Sequence, residues 1–183
     1  MRIVGGKYRH RLINYPQDMT QTRPTKDRVR EAIFSALNNI DDTNVLDLYA
    51  GSGAMGLEAL SRGAKKVTFV DISALAIQTI KDNLLSLNVS SESYSLIKGR
   101  DTDVLTNLKE SGQKFDLIFL DPPYEKGEYV QIVNLLKEYD LLSEKAILVL
   151  ESNRPITLEK LDYQKDKEYH YGEIIVHIYW RSL

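Results

Sequence analysis

Apolar and polar positions follow two periods along this chain, and their alternation predicts the elements. The first residues hold two short β-prone runs, RIVGG and KYRHRLINYP, around Gly5-Gly6 and ended by Pro16. They predict a small N-terminal β-hairpin. Residues 17–26 are polar and contain Pro24, so a loop is expected there. Val29, Ile33 and Leu37 recur at helical spacing, which predicts a helix over Asp27–Asn38, capped by Thr25 or Asp27. Strand-like and helix-like runs then alternate. Asn44–Tyr49, Lys66–Val70, Ser93–Ile97, Phe115–Leu120 and Ala146–Leu150 read as strands. Met55–Arg62, Ser73–Leu87, Asp103–Glu110 and Glu128–Tyr139 read as helices, with Ser73 and Asp103 as caps and Gly63 as a stop. Such alternation implies right-handed crossovers and an α/β fold, a parallel sheet covered on both faces. Two final β-prone runs, Tyr163–Tyr171 and Glu173–Trp180, meet near Gly172 and predict a terminal antiparallel hairpin.

Length and charge add a division to this picture. The 183 residues suffice for one domain of ordinary composition, with 43% apolar and 27% charged residues. Residues 1–30 carry eight lysines and arginines against two acids, a surplus of six positive charges. The other 153 residues carry 16 bases against 24 acids, a deficit of eight. The chain is therefore read as a basic arm over residues 1–26 and a body over 27–183. The arm either meets a polyanion or is a solvated extension. Cysteine is absent, which excludes disulfides and thiolate metal sites and fits a reducing cytoplasm. No run is long enough to span a bilayer, and the first ten residues lack a signal-peptide core, so no membrane partner is expected.

The segment Asp47-Leu-Tyr-Ala-Gly51-Ser52-Gly53-Ala-Met-Gly56 joins a strand to a helix with the G-x-G-x-x-G spacing. Glycines there let the backbone turn sharply and meet a ligand directly, and Asp71, at the end of the next strand, is placed to accept both hydroxyls of a ribose. A pyrophosphate at the helix N-terminus would be repelled by a carboxylate as near as Asp47. The ammonium of a methionine moiety would be attracted by it. The reading therefore favours S-adenosyl-L-methionine over a dinucleotide. Asp47–Gly53 resembles motif I of class I methyltransferases, and that resemblance implies that Asp101, after the third strand, holds the adenine amino group; a helix cap or a surface acid is the alternative.

After the fourth strand stands Asp121-Pro122-Pro123-Tyr124. Two consecutive prolines fix φ twice and remove two donors, leaving a rigid lining rich in acceptors. The lone pair of an exocyclic base amine is delocalised into the ring and is a poor nucleophile. If the Asp121 carboxylate and the Pro122 carbonyl accept its two hydrogens, the nitrogen can pyramidalise towards a sulfonium methyl. Alignment for in-line displacement contributes roughly 7–11 kcal/mol at best. Tyr124 offers a flat face for a flipped base. Asp47, Asp71, Asp101 and Asp121 all fall at carboxyl ends of predicted strands, where ligands of open α/β sheets bind.

These motifs resemble the RsmD family of bacterial 16S rRNA (guanine-N2) methyltransferases. The resemblance runs through Arg2–Gly6, Thr22-Arg23-Pro24-Thr25, Asp27–Glu31, Asp47–Gly63 and Asp121–Tyr124, with Tyr49 standing where the family usually has Phe. It implies a Rossmann-like class I methyltransferase fold with a seven-stranded, mostly parallel sheet, and 16S rRNA or the small ribosomal subunit as partner. The expected cofactor residues are Asp47, Gly51, Ser52, Gly53, Asp71, Ile72 and Asp101. Lys7, Arg9, Arg11 and Arg23 are expected to neutralise phosphates, with no metal involved and a monomer favoured.

Three other readings remain at this level. The catalytic motif does not separate guanine N2 from adenine N6, so a DNA adenine-N6 methyltransferase is the nearest rival. The lack of a separate target-recognition domain weighs against it. A non-catalytic module with the same fold would not be expected to keep Asp121–Tyr124 intact, and the basic arm disfavours a small-molecule amine as acceptor.

Overall fold

The computed structural model describes residues 1–16, 24–122, 128–158 and 163–181. In chain order its elements are α1 (Pro24–Leu37), β1 (Asn44–Asp47), α2 (Ala54–Ser61), β2 (Lys66–Asp71), α3 (Ala74–Ser86) and β3 (Tyr94–Lys98). They continue with α4 (Asp101–Glu110), β4 (Phe115–Leu120), α5 (Glu128–Glu138), β5 (Leu142–Ser152), β6 (Tyr163–Tyr171) and β7 (Ile174–Arg181). The strands form one sheet in the order β3-β2-β1-β4-β5-β7-β6. The first five are mutually parallel, and β7 enters antiparallel between β5 and β6. This is the mixed seven-stranded α/β sheet that the alternating pattern and the family resemblance imply.

The central strands are apolar on both sides because both sides are covered. Val45, Phe69, Leu117, Phe119, Val149 and Ile178 join one core with residues of α1, α2 and α3. Leu46, Val70, Ile118, Leu120, Leu148 and Leu150 join the other with α4 and α5. Phe34 of α1 meets Phe119 with ring centroids 5.7 Å apart, which seats α1 over β4. Register sets the site. Asp47 lies opposite both Phe69 and Phe119, so Asp71 and Asp121 follow two residues beyond its partners on either side.

Several boundaries differ from the expectation. α1 starts at Pro24, three residues early, since proline is tolerated in the first turn of a helix where its missing N–H has no partner to lose. α4 starts at Asp101, which puts Asp103 inside the first turn instead of at the cap. β5 extends to Leu142–Ser152 because its outer residues find partners, Leu142 on Phe115 and Ser152 on Ile175. Ser73 caps α3 as expected, accepting from the Ala76 N–H at 3.3 Å.

The N-terminal hairpin is reduced to a single antiparallel bridge, Arg2 with Leu12. Ile3, His10 and Ile13 N–H bond to carbonyls within the arm, and several further donors are taken by the body. Val4 and Gly5 N–H donate to Glu58, Lys7 N–H to the Ser61 carbonyl and Tyr8 N–H to Ser61 Oγ. Gly6 makes this approach possible: φ is +73°, and a Cβ there would stand 1.8 Å from Ser61 O. Ile3 and Ile13 are buried in the same core as α1, so the arm lies on the body as part of it. No helix among the described residues is long and apolar enough to cross a membrane.

Candidate active site

Beyond the carboxyl ends of β1, β2 and β4 opens a cavity of about 530 Å3, within the roughly 300–1,000 Å3 typical of small-ligand sites. Asp47, Gly51, Ser52, Asp71, Ile72 and Asp101 all line it, and so do Asp121 and Pro122. The four acids expected to form a constellation therefore meet in one space. Pro123, Tyr124 and Arg23 lie outside the described residues.

Asp47 is buried, and its Oδ2 accepts the Gly56 N–H at 3.0 Å. Burial, the largest influence, pushes its carboxyl up to about 7; the Gly56 hydrogen bond pulls it down and the charge of Asp71 pushes it up again. A carboxylate so poorly solvated gains from a cationic ligand group. Asp71 uses both oxygens on the loops around it, accepting Gly51 N–H and Ser73 N–H, each at 2.8 Å. It thus ties the glycine loop to the start of α3. Each oxygen keeps a lone pair for a further donor. Gly53 stands against the far side of the loop, with φ +77°, and a Cβ there would come 2.9 Å from Ile80 Cγ1. Ile72, at the mouth, is 69% exposed.

Asp101 is the first residue of α4 and not its cap, and it lines the cavity. Its Oδ1 accepts the Thr102 N–H at 2.7 Å, while its Oδ2 accepts the Tyr49 hydroxyl at 2.6 Å. The Tyr49 hydroxyl thus orients this carboxylate. On the remaining wall, Pro122 is buried and Asp121 exposed to the cavity, beside Glu151 and Ile174.

Sequence reasoning missed the residues that assemble this space. Glu58 is fully buried and gathers the Val4 and Gly5 amides, Arg30 Nε at 3.2 Å and Arg62 Nε at 2.8 Å. Arg30, 3% exposed, also bonds Asp27 and the Arg2 carbonyl. Asn83 joins Asn14 to the Ser52 carbonyl, connecting arm, α3 and glycine loop. As a result Met1, Tyr15 and Arg30 close one side of the cavity, and the Tyr15 hydroxyl is buried there with no partner among the described residues. The signal was available. Glu58 is the one charge in AMGLEALS, and Asn83 falls on the apolar stripe between Ile80 and Leu84.

Of the expected phosphate ligands, Lys7, Arg9 and Arg11 are exposed on the docked arm. Arg11 is anchored through Nη2 to the Ser86 carbonyl at 2.7 Å.

Comparison with known proteins finds relatives along nearly the whole chain. The family model described as "Conserved hypothetical protein 95" matches residues 1–180. Ribosomal RNA small subunit methyltransferase D of Haemophilus influenzae is 36% identical over 171 residues, 91% of this chain and 88% of that protein. Its Escherichia coli namesake is 35% identical over 153 residues, 83% of this chain and 74% of that protein. The solved structure of Escherichia coli yhhF superposes with a TM-score of 0.86 at 32% identity, over 100% of this chain and 98% of the other. That of SMU.776 in complex with SAH shares the fold, with a TM-score of 0.70 at 14% identity over 87% of this chain and 50% of that one.

Proposed function

The chain belongs to the RsmD family, and on that premise we propose that it transfers a methyl group from S-adenosyl-L-methionine to the exocyclic N2 of a guanine in small-subunit rRNA. The observation that carries the reading is the meeting of Asp47, Asp71, Asp101 and the Asp121-Pro122 pair in one cavity. The donor set fits the cofactor: a buried carboxylate for its ammonium, a second for the ribose hydroxyls, a third for the adenine amine and the exposed Ile72 side chain for the adenine face. When bound, the cofactor supplies an electrophilic methyl on a sulfonium.

This chain's residues do the rest. Asp47 holds the methionine end, Asp71 the ribose and Asp101, set by Tyr49, the base. Asp121 Oδ and the Pro122 carbonyl accept the two hydrogens of the guanine amine and direct its lone pair along the line of displacement. The sulfonium would supply its methyl to the amine nitrogen and remain as a thioether, and the surplus proton would pass to Asp121 or to water. Incubation with labelled cofactor and naked rRNA, assembled small subunits or duplex DNA, followed by mapping of the modified base, tests the assignment. Label on adenine N6 of the DNA alone would overturn it.

Two further results are expected. Asp71→Ala removes an acceptor used in ground and transition states alike, and also frees the Gly51 and Ser73 amides. The KM for the cofactor should rise about tenfold or more, with turnover at saturation within a few fold. An unchanged KM in steady-state kinetics would remove Asp71 from the cofactor site.

The second concerns the arm. Neutralising Lys7, Arg9 and Arg11 to Gln should flatten the slope of log affinity for rRNA against log salt by about 2–3 units. Cofactor affinity should stay unchanged. Fluorescence titration at several salt concentrations reads the slope, and an unaltered one would remove these three side chains from the RNA contact.

A further inference from the structure

The edge strand β6 sorts its side chains by charge. Alternation puts Lys165, Lys167, Tyr169 and Tyr171 on one face and Asp166, Glu168 and His170 on the other. Pairing fixes which face is which. Lys165 lies opposite Trp180, Lys167 opposite Ile178, Tyr169 opposite Val176 and Tyr171 opposite Ile174. Val176 and Ile178 belong to the α1-side core, and Tyr169, Tyr171 and Trp180 are half-buried at its margin. Lys165 and Lys167 are exposed. An edge strand needs charge to discourage pairing with other chains, and scattered lysines would meet that need. It does not need the lysines gathered with aromatics on one face and the acids on the opposite one.

The arrangement of the rings is also specific. Tyr169 and Tyr171 lie with centroids 6.5 Å apart and planes 18° from parallel, so they present similarly oriented flat faces. Lys165 Nζ stands 5.0 Å over the Trp180 ring. The surface is continuous with the catalytic cavity. Ile174, opposite Tyr171, lines that cavity together with Glu151 of β5. From Tyr171 to Lys165 the strand runs about 20 Å away from it.

We propose that this face of the β6–β7 hairpin is a stacking platform for a single-stranded RNA segment flanking the target nucleotide, with Tyr171 and Tyr169 against bases and Lys167 and Lys165 against phosphates. Half-exposed aromatics interleaved with lysines on a sheet are the chemistry that binds unpaired bases and their backbone. A buried target amine must be lifted out of its helix to reach Asp121, and its neighbours then need a surface beside the cavity. The docked arm holds one side of the RNA and the hairpin the other. The inference rests on the rRNA reading above and extends it to where the strand runs.

Two double variants test it. Tyr169→Leu/Tyr171→Leu keeps apolar bulk at the core margin while removing the rings. Lys165→Gln/Lys167→Gln touches only exposed charge, so it remains informative if the first variant fails to fold. Both are compared with the wild type on in vitro transcribed small-subunit rRNA and on assembled small subunits, with cofactor affinity and Tm measured alongside. The leucine pair should weaken rRNA binding about tenfold or more. The glutamine pair should flatten the salt slope by about 1–2 units. Cofactor affinity should be unchanged in both. Wild-type affinity and slope in both variants, with the wild type itself methylating rRNA, would overturn the platform and leave the assigned activity standing. Loss confined to assembled subunits, with naked rRNA bound normally, would also overturn it, since the face would then meet a protein. A wild type that neither binds nor methylates rRNA would overturn both readings together.

Discussion

Asp121→Ala should lower turnover by about 10² or more while leaving cofactor affinity within a few fold. The proposed tasks fall at different strands: Asp47 and Asp71 end β1 and β2 and Asp101 comes after β3, whereas Asp121 follows β4. Removing one positioned polar group that acts on the reacting atoms costs about 10²–10³ in turnover in comparable sites. Asp121→Asn is the informative companion. It keeps an acceptor oxygen for the amine hydrogen and gives up the charge, so a variant retaining most of the rate assigns the residue to orientation. One as slow as the alanine assigns it to the proton. Single-turnover kinetics with calorimetry reads both, and equal loss of affinity and rate in Asp121→Ala would contradict the division.

The second large effect belongs to Asp47, and its sign depends on pH. Its carboxyl is raised to about 7 by burial, so folded protein holds the Asp47 proton more tightly than unfolded chain does. The stability contribution of this group is therefore full below about pH 4 and is lost as pH rises towards 7. The rise from 3.8 to about 7 corresponds to at most about 4 kcal/mol. Asp47→Asn carries no charge and can still accept the Gly56 N–H, so the protein without cofactor should be more stable than wild type at pH 8 and nearly equal to it at pH 4. Binding runs the other way. The methionine ammonium requires the ionised carboxylate, so wild-type affinity should fall about tenfold for each pH unit below 7. The variant should bind at least about 10²-fold more weakly at pH 8, without that dependence. Thermal melts and calorimetry across pH 5–8 measure both. A pH-independent wild-type affinity would mean that Asp47 does not receive the ammonium.

The active-site acids were legible in the sequence because each stands in a local context that determines its place. Asp47 and Asp71 end strands and Asp121 follows one, each declared by its apolar run, and parallel strands covered on both faces bring their carboxyl ends together. Local periodicity located every helix and strand within a few residues, and the errors at α1 and α4 came from reading proline and aspartate as boundary residues when both are tolerated in a first turn.

What remained hidden depends on contacts between residues far apart in sequence. Glu58 holds amides 53 and 54 residues away, Asn83 reaches Asn14 across 69, and Tyr49 meets Asp101 across 52. No short-range pattern encodes which polar group answers which; packing the arm, α1, α2 and α3 onto one sheet face brings Glu58 and Asn83 to their partners, and the order β3-β2-β1 brings Tyr49 to Asp101. The β6 charges follow the same rule. Alternation by itself divides lysines and tyrosines from acids, but strand order and register decide that the lysine face turns towards α1 and the cavity.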